Sequence, residues 1–535
     1  MILGLRIGAV TLIACAAGAA EKPGAMPVIP LPREIQASGP SVPVPPVVAL
    51  TLPPDPGLDP IAGHYQRWLK SRGIQTDARA PFNLDLALDA SAGGSPESYT
   101  ISVKFSGIIV RAPGPAGLFY ALQTIKHMTL SSPPDAPALL LPEATVRDAP
   151  EYRWRGMHLD VSRHFFDKAF LFRYLDHLAE YKMNVFHWHL TDGPGWRLEI
   201  PDYPRLTAVG AWRRDQRDQT WNWRATVIHP EGRQPGDYGG FYTGDDVREI
   251  VRYAAERFIM VVPEIEMPGH SYAALVAYPE FACEGTDILR DGLRGRDAFC
   301  IGHPGLESFL TGILDAVTEM FPSPWIHIGG DEVAHEAWRQ CPRCRALMER
   351  EGMTSPTELQ GHLIRRMEKH LQSRGRRLVG WDEIAGDGLT TNAAVMVWRE
   401  PERAMAALER GMSVVLSPNR HCYFDYYQGP PEHEPPAIGG RVTLRDVYAF
   451  SPASPDLSPN LRARVLGGQG NVWTEYLQTP AAVEYMIFPR MPALAETLWS
   501  DPARRDWTDF MSRLRAHRSG WDARGIRYRA ASFDE

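Results

Sequence analysis

From Tyr152 onward, apolar runs of four to seven residues alternate with longer stretches in which apolar positions recur every three or four residues. The runs at 156–161, 184–190, 258–265, 325–329, 377–381, 394–398, 413–416 and 465–472 predict strands covered on both faces. Stretches such as 168–182, 245–257, 306–320 and 358–373 predict the helices between them. Eight strand–helix units over about 370 residues predict an α/β fold, a (β/α)8 TIM barrel with enlarged loops. Upstream the pattern differs. Helical spacing at 61–72 and 117–128, a hairpin at 99–103 and 107–111, and Pro-rich stretches at 21–60 and 131–142 predict a small α+β domain. The expected organisation is an N-terminal α+β domain over 21–148 and a catalytic barrel over 149–530.

Composition narrows the class. The 535 residues carry 57 Lys plus Arg against 64 Asp plus Glu, a net charge of −7, with no basic stripe, which argues against nucleic acid as partner. Residues 1–20 hold Arg6, an apolar core at 7–17 and small residues before Glu21, the pattern of a signal peptide too short to span a membrane. It admits two processing routes, cleavage after Ala17-Gly-Ala19 or lipidation of Cys15 in the lipobox-like Leu12-Ile-Ala-Cys15. The expected location is therefore outside the cytoplasm, periplasmic or extracellular, as a soluble protein or an outer-membrane lipoprotein with no membrane span. In an oxidising compartment Cys283 and Cys300 would close a loop disulfide. Cys341-Pro-Arg-Cys344 has the spacing of half a zinc site but no second pair follows it, so it reads as a local disulfide or two free thiols.

The active face of such a barrel is built at the C-terminal ends of its strands. Those positions hold Asp160 and Arg163, His189 and Asp192, Glu266 and His270, Asp331 and Glu332, Trp381 with Asp382 and Glu383, Trp398, Tyr423 with Asp425, and Trp473 with Glu475. A ring of carboxylates and indoles suits a sugar, whose hydroxyls bond to acids and whose apolar face stacks on Trp. The sharpest element is His327-Ile-Gly-Gly-Asp-Glu-Val333. Glycosidases usually set two carboxyls on opposite sides of the scissile bond, which neighbours on one strand end cannot easily do. Adjacent acids suit another division of labour, in which Glu332 protonates the leaving oxygen and Asp331 orients a group already on the substrate.

With these motifs the chain resembles bacterial β-N-acetylhexosaminidases of glycoside hydrolase family 20. The resemblance rests on Arg155-Gly-Met-His-Leu-Asp-Val-Ser-Arg-His-Phe165, Asn184-Val-Phe-His-Trp-His-Leu-Thr-Asp192, Pro263-Glu-Ile-Glu-Met-Pro-Gly-His270 and His327 to Val333. It continues through Gly380-Trp-Asp-Glu383, Val397-Trp398, Tyr423-Phe-Asp425 and Gly468-Gln-Gly-Asn-Val-Trp-Thr-Glu475, with Ile29-Pro-Leu-Pro32 in the first domain. The resemblance implies substrate-assisted hydrolysis with retention. Glu332 would be the acid and then the base, Asp331 would accept the acetamide N–H, and Tyr423 would donate to the acetamide oxygen. Trp381, Trp398 and Trp473 would wall the pocket. Arg163, Glu475 and Asp425 would hold the hydroxyls at the non-reducing end, and Asp192 with His270 would form a relay behind Glu332, with His327 and Glu266 supporting. The implied partners are N-acetylhexosamine-containing oligosaccharides or glycoconjugates, such as chitin fragments, and no cofactor or metal is expected.

Read without the motif set, single residues have plainer roles. Asp160 would cap a turn, Asp382 and Glu383 would open a helix, and one of His187 and His189 would face the helices. The loop 193–243 carries Trp196, Trp212, Trp221 and Trp223 without an assigned task. Two alternatives to the hexosaminidase stand beside it, a lacto-N-biosidase-like member of the same family and a catalytically silent, secreted glycan-binding barrel.

Overall fold

The computed structural model describes residues 26–534 apart from 133–135, 137, 218 and 387. The expected signal segment and Cys15 lie outside the described residues. The first domain is a seven-stranded sheet made of β1 (Glu34–Val44), β2 (Val47–Thr51), β3 (Gln75–Thr76), β4 (Asn83–Leu88), β5 (Tyr99–Lys104), β6 (Gly107–Ala112) and β7 (Leu139–Asp148). Their order across the sheet is β1-β7-β5-β6-β4-β2-β3. The predicted hairpin is present as β5 and β6, paired antiparallel. Three of these strands, β1, β2 and β7, run through the Pro-rich stretches. β1 carries Pro40 and Pro43 yet pairs with β7, which it can do because it lies at the sheet edge, where a missing N–H faces away from the ladder.

Helix α1 (Asp59–Ser71) packs against α2 (Pro115–Met128), and α2 lies against β5 and β6. From Gly117 to Met128, α2 is buried at every position but Lys126, because it is held between the sheet and the barrel. Phe119 meets Phe258 and Tyr120 meets Trp499 on the barrel side, at 5.6 and 5.2 Å between ring centroids. A helix that is apolar all round needs this kind of double cover.

The barrel is closed by eight parallel strands: β8 (Trp154–Asp160), β9 (Val185–His189), β10 (Met260–Glu264), β11 (Trp325–His327), β12 (Arg377–Trp381), β13 (Ala394–Val397), β14 (Ser413–Leu416) and β15 (Val465–Gly470). Helices α3 (Lys168–Glu180), α4 (Gly244–Ala255), α5 (Leu306–Met320) and α6 (Pro356–Ser373) follow the first four strands. After β12 the chain makes only a 3-10 turn, Asp382–Gly386, and then α7 (Glu402–Glu409), α8 (Leu444–Ala449) and α9 (Arg490–Trp499) follow the last three strands. This is the expected TIM barrel with one helix reduced to a turn. The lumen holds its own apolar cluster, with Trp154 and Trp325 facing each other at 6.3 Å and Val262, Val379, Met396 and Val415 above them. No helix among the described residues is long and apolar enough to cross a membrane.

Candidate active site

Strand alternation puts residues two apart on the same face. His187 and His189 therefore both point into the lumen, and Trp188 between them packs outward against Tyr242 and Phe321. This corrects the expectation that one histidine faces the helices. Both reach Glu264, the last residue of β10, which lies 3.0 Å from His187 Nε2 and also contacts His189 Nδ1. Its other oxygen is 2.9 Å from His327 Nδ1 and accepts a hydrogen bond from Trp381 Nε1 at 2.8 Å. Burial alone would raise the Glu264 carboxyl, but His327, His189 and His187 outweigh it and hold it well below the carboxylate range. Burial pushes His187 down to about 4. For His189 burial acts the same way, yet Glu264 and Asp192 overcome it and lift the ring to about 10. The cleft thus stands on a buried carboxylate–imidazolium floor. Glu264 was absent from the sequence candidates, although its place as the inward-facing end of a strand marks it.

Above this floor Asp192 is the junction. Its Oδ2 is 3.0 Å from His189 Nε2 and 2.8 Å from Arg163 Nη2, and its Oδ1 is 3.1 Å from His270 Nδ1. Arg163 also lies 3.3 Å from Asp160 and 3.8 Å from Glu475, and its guanidinium covers the Trp473 ring at 4.9 Å. Asp160 accepts from the Ser162 and Arg163 amides, the expected turn cap, and from Thr474 as well, which ties the β8 end to the β15 end.

The turn after β11 delivers the adjacent acids. Gly329 and Gly330 have φ of +68° and +93°, and a Cβ on Gly329 would stand 1.8 Å from the Glu266 carboxylate, so the chain passes there only as glycine. Glu332 itself adopts φ +49° and His270 φ +50°, the left-handed region that costs an ordinary residue about 1–3 kcal/mol. The result is close convergence. His270 Nε2 lies 3.5 Å from Asp331 and 3.7 Å from Glu332. Burial opposes a proton on His270, but Asp192 and Asp331 prevail and hold it well above the usual histidine value. Burial first, then Glu264 and Glu332, raise the Asp331 carboxyl despite His270. Glu332 is 61% exposed, facing the open cleft.

The walls are aromatic. Trp381, Trp398, Tyr423 and Trp473 surround a cavity of 310 Å³ that also touches Arg163, His270, Asp331, Glu332, Asp425 and Glu475. Trp398 and Tyr423 lie nearly parallel at 6.2 Å, and Trp381 meets Trp473 at 5.8 Å. Of the eleven residues expected to react with or bind the substrate, ten thus line one cavity, and the eleventh, Asp192, is bonded to two of them. Buried acceptors without a partner point into it: Asp331 Oδ1, Asp425 Oδ1 and Glu475 Oε2. Such groups call for donors from a ligand or from water. Burial holds Asp425 well above the carboxylate range, with Glu475 adding to it, and keeps the Tyr423 hydroxyl protonated far into the alkaline range.

Three findings go beyond or against the sequence reading. Asp382 and Glu383 open only the short 3-10 turn Asp382–Gly386, and their side chains have a further role. Asp382 binds Arg399, and Glu383 accepts from Trp398 Nε1 at 3.2 Å and lies 3.2 Å from Arg399, so the pair fixes a wall of the cavity. Trp221 and Trp223 of the long loop line an adjoining chamber of 480 Å³, which shares Arg163, His270, Glu332 and Glu475 with the first. Trp196 is instead buried, donating to Leu198 O at 2.6 Å. Lastly, Cys283 and Cys300 do not form an isolated pair; both meet Cys341 and Cys344.

Residues 152–502 match the profile of the glycosyl hydrolase family 20 catalytic domain, and residues 25–149 that of the family's domain 2. A β-hexosaminidase of Porphyromonas gingivalis is 38% identical over 450 residues, which cover 83% of this chain but only 56% of that longer protein. A β-N-acetylhexosaminidase of Cellulomonas fimi is 32% identical over 463 residues, 85% of each chain. Among solved structures, a family 20 exo-β-N-acetylglucosaminidase from Vibrio harveyi in complex with N-acetylglucosamine superposes with a TM-score of 0.84 at 29% identity, covering 96% of this chain and 81% of that one. The chain belongs to glycosyl hydrolase family 20, a glycoside hydrolase alongside the β-hexosaminidases it resembles.

Proposed function

We propose that this enzyme removes terminal, non-reducing β-linked N-acetylhexosamine, GlcNAc or GalNAc, with retention, the substrate's own acetamide acting as nucleophile. The observation that carries the proposal is the side-by-side placement of a buried acid, Asp331, and an exposed one, Glu332, at one strand end. Glu332 reaches out into the cleft, where it protonates the leaving oxygen and later deprotonates water. Asp331 keeps one oxygen free of partners, so it can accept the acetamide N–H and offset positive charge as the oxazolinium ring closes. Tyr423, a protonated donor in the same wall, holds the acetamide oxygen over the anomeric carbon. The indoles of Trp381, Trp398 and Trp473 exclude water around the acetamide methyl and the sugar face. Arg163, Asp425 and Glu475 bind the far hydroxyls, which supply the donors that the last two lack. His270, charged between Asp192 and the two acids, keeps their carboxylates from repelling each other apart.

The test is hydrolysis of p-nitrophenyl β-GlcNAc against the β-glucoside. The acetamido sugar alone should be cleaved. Glu332→Gln should lower kcat on a poor leaving group by about 10²–10⁴-fold, and Asp331→Asn should slow even good leaving groups. Equal cleavage of the glucoside would refute the proposal, and an inactive protein that still binds GlcNAc oligomers would favour the silent barrel. One observation favours a second reading, the lacto-N-biosidase-like specificity. The 480 Å³ chamber reaches Arg163 and Glu475, so a second sugar could extend from the non-reducing end past Trp221 and Trp223. Faster release from a β-linked disaccharide glycoside than from β-GlcNAc would select it. The N-terminal signal pattern supports export to the periplasm or beyond, which fractionation of cells by osmotic shock would test.

A further inference from the structure

Four cysteines meet behind the loops that carry the cleft acids. Cys283 and Cys300 belong to the excursion between β10 and α5, which also carries His270. Cys341 and Cys344 belong to the excursion between β11 and α6, which carries Asp331 and Glu332. All four are buried, and their sulfurs lie within 4.8 Å of one another. The separations are 3.6 Å for Cys300–Cys341, 3.7 Å for Cys300–Cys344 and 3.8 Å for Cys283–Cys344.

Those distances exclude disulfides and leave two uses of four thiols, close packing as free thiols or a shared ion. A disulfide holds its sulfurs about 2.0 Å apart. A tetrahedral zinc with bonds of about 2.3 Å has sulfur–sulfur edges of about 3.8 Å, the length of the diagonal between two tetrahedral corners. The three measured edges match the tetrahedron. Cys300 and Cys344 each make two of them, so the four sulfurs surround one point and do not sort into two pairs.

The surroundings suit thiolates. Cys341 precedes the helix Pro342–Arg350 and Cys344 lies in its first turn, where free amides and the helix dipole stabilise negative sulfur. The Gly302 amide also sits beside Cys344, where it favours the thiolate. A Cβ at Gly302 would stand 2.3 Å from the Arg343 carbonyl carbon, so only glycine lets that amide come so close.

We propose that Cys283, Cys300, Cys341 and Cys344 form a tetrathiolate site for one zinc ion, a structural staple joining the loop of His270 to the loop of Asp331 and Glu332. Four protein ligands leave no open position, so the ion holds structure and takes no part in hydrolysis. The site replaces the sequence expectation of no metal, a loop disulfide at 283–300 and a local disulfide or two free thiols at 341 and 344. Sequence spacing hid it because the ligands come from two loops separated by a helix and a strand.

The test uses the full chain produced with zinc in the medium and dialysed against chelating resin. Elemental analysis should find one zinc per chain, and Cys300→Ser and Cys344→Ser should each lower it to about a tenth or less. Cys422→Ser, which removes a buried cysteine outside the cluster, should leave it at one. Should the serine variants fail to fold, wild type carries the test alone. Exchange with cobalt should give the visible bands of a tetrahedral cobalt tetrathiolate, and denaturation in EDTA without reductant should expose the four cluster thiols in addition to that of Cys422 while releasing zinc. Metal-free protein with these cysteines in disulfides, or free thiols that take up neither zinc nor cobalt, would overturn the proposal. Neither outcome depends on which glycoside the enzyme cleaves.

Discussion

Glu383 shows how a residue outside the reacting centre can govern the cleft. Burial first, then Asp331 and Asp382, raise its carboxyl from 4.5 to about 7, against the opposing pull of Arg399 and Trp398. A raised carboxyl binds its proton in the folded state while the unfolded chain has lost it. Stability therefore falls as pH rises from about 4.5 to about 7 and levels off above. Glu383→Gln keeps an acceptor for Trp398 Nε1 and removes the titration. Its Tm relative to wild type should climb across that window, whatever its offset at low pH; parallel Tm curves from pH 4.5 to 7.5 would contradict the account. At this scale the sequence was most legible where residues sit at the C-terminal ends of the strands or in the turns just beyond them. Asp331, Glu332, Arg163 and the indoles fall in such positions, and all reach the cavity. Glu264 and Glu383 were harder to read, because their importance lies in partners from other strands: three histidines for one, Trp398 and Arg399 for the other.

At the scale of elements, the turn after β11 sets the catalytic geometry. Gly329→Ala would press a methyl into the Glu266 carboxylate and force a left-handed residue to carry a Cβ. The strain alone is about 1–3 kcal/mol, and relief requires moving Asp331 and Glu332. The variant should unfold at lower denaturant and lose most of kcat with little change in substrate KM if the protein still binds sugar; wild-type kcat would contradict this reading. Barrel strands were legible as continuous apolar runs because helices cover them outside and packed side chains fill the lumen. β7 was hidden by Leu140, Leu141 and Pro142 in a Pro-rich link, and its strand character comes from pairing with β1 and β5 on either side. The long loop between β9 and α4 gave only its tryptophans, and the chamber that Trp221 and Trp223 line exists because the loop folds back over Arg163 and Glu475.

At the scale of the whole molecule, the two domains share buried charge. Asp148, at the end of β7, accepts from Lys182 Nζ at 3.1 Å and from Trp499 Nε1 at 2.9 Å, and Arg155 Nη2 reaches Glu97 at 2.7 Å. The N-terminal segment closes the joint, with Leu31 N donating to Glu496 and Arg513 donating to Val28 O. Asp148→Ala would leave Lys182 buried with the Tyr99 hydroxyl but without its carboxylate partner, at a cost of about 3–5 kcal/mol. Chemical denaturation should show that loss in the barrel as well as in the sheet; a loss confined to the first domain would contradict a shared core. This joint was invisible in the sequence, since its partners lie 34 to 485 residues apart with no spacing that links them. The central claim concerns the acetamide, and it is tested most directly by replacing it. A series of p-nitrophenyl β-glycosides bearing acetyl, fluoroacetyl, difluoroacetyl and trifluoroacetyl groups keeps the leaving group and the sugar constant while weakening the acetamide oxygen as nucleophile. If that oxygen attacks the anomeric carbon, kcat falls steeply with each fluorine; a rate indifferent to fluorination would mean that a protein carboxylate attacks instead.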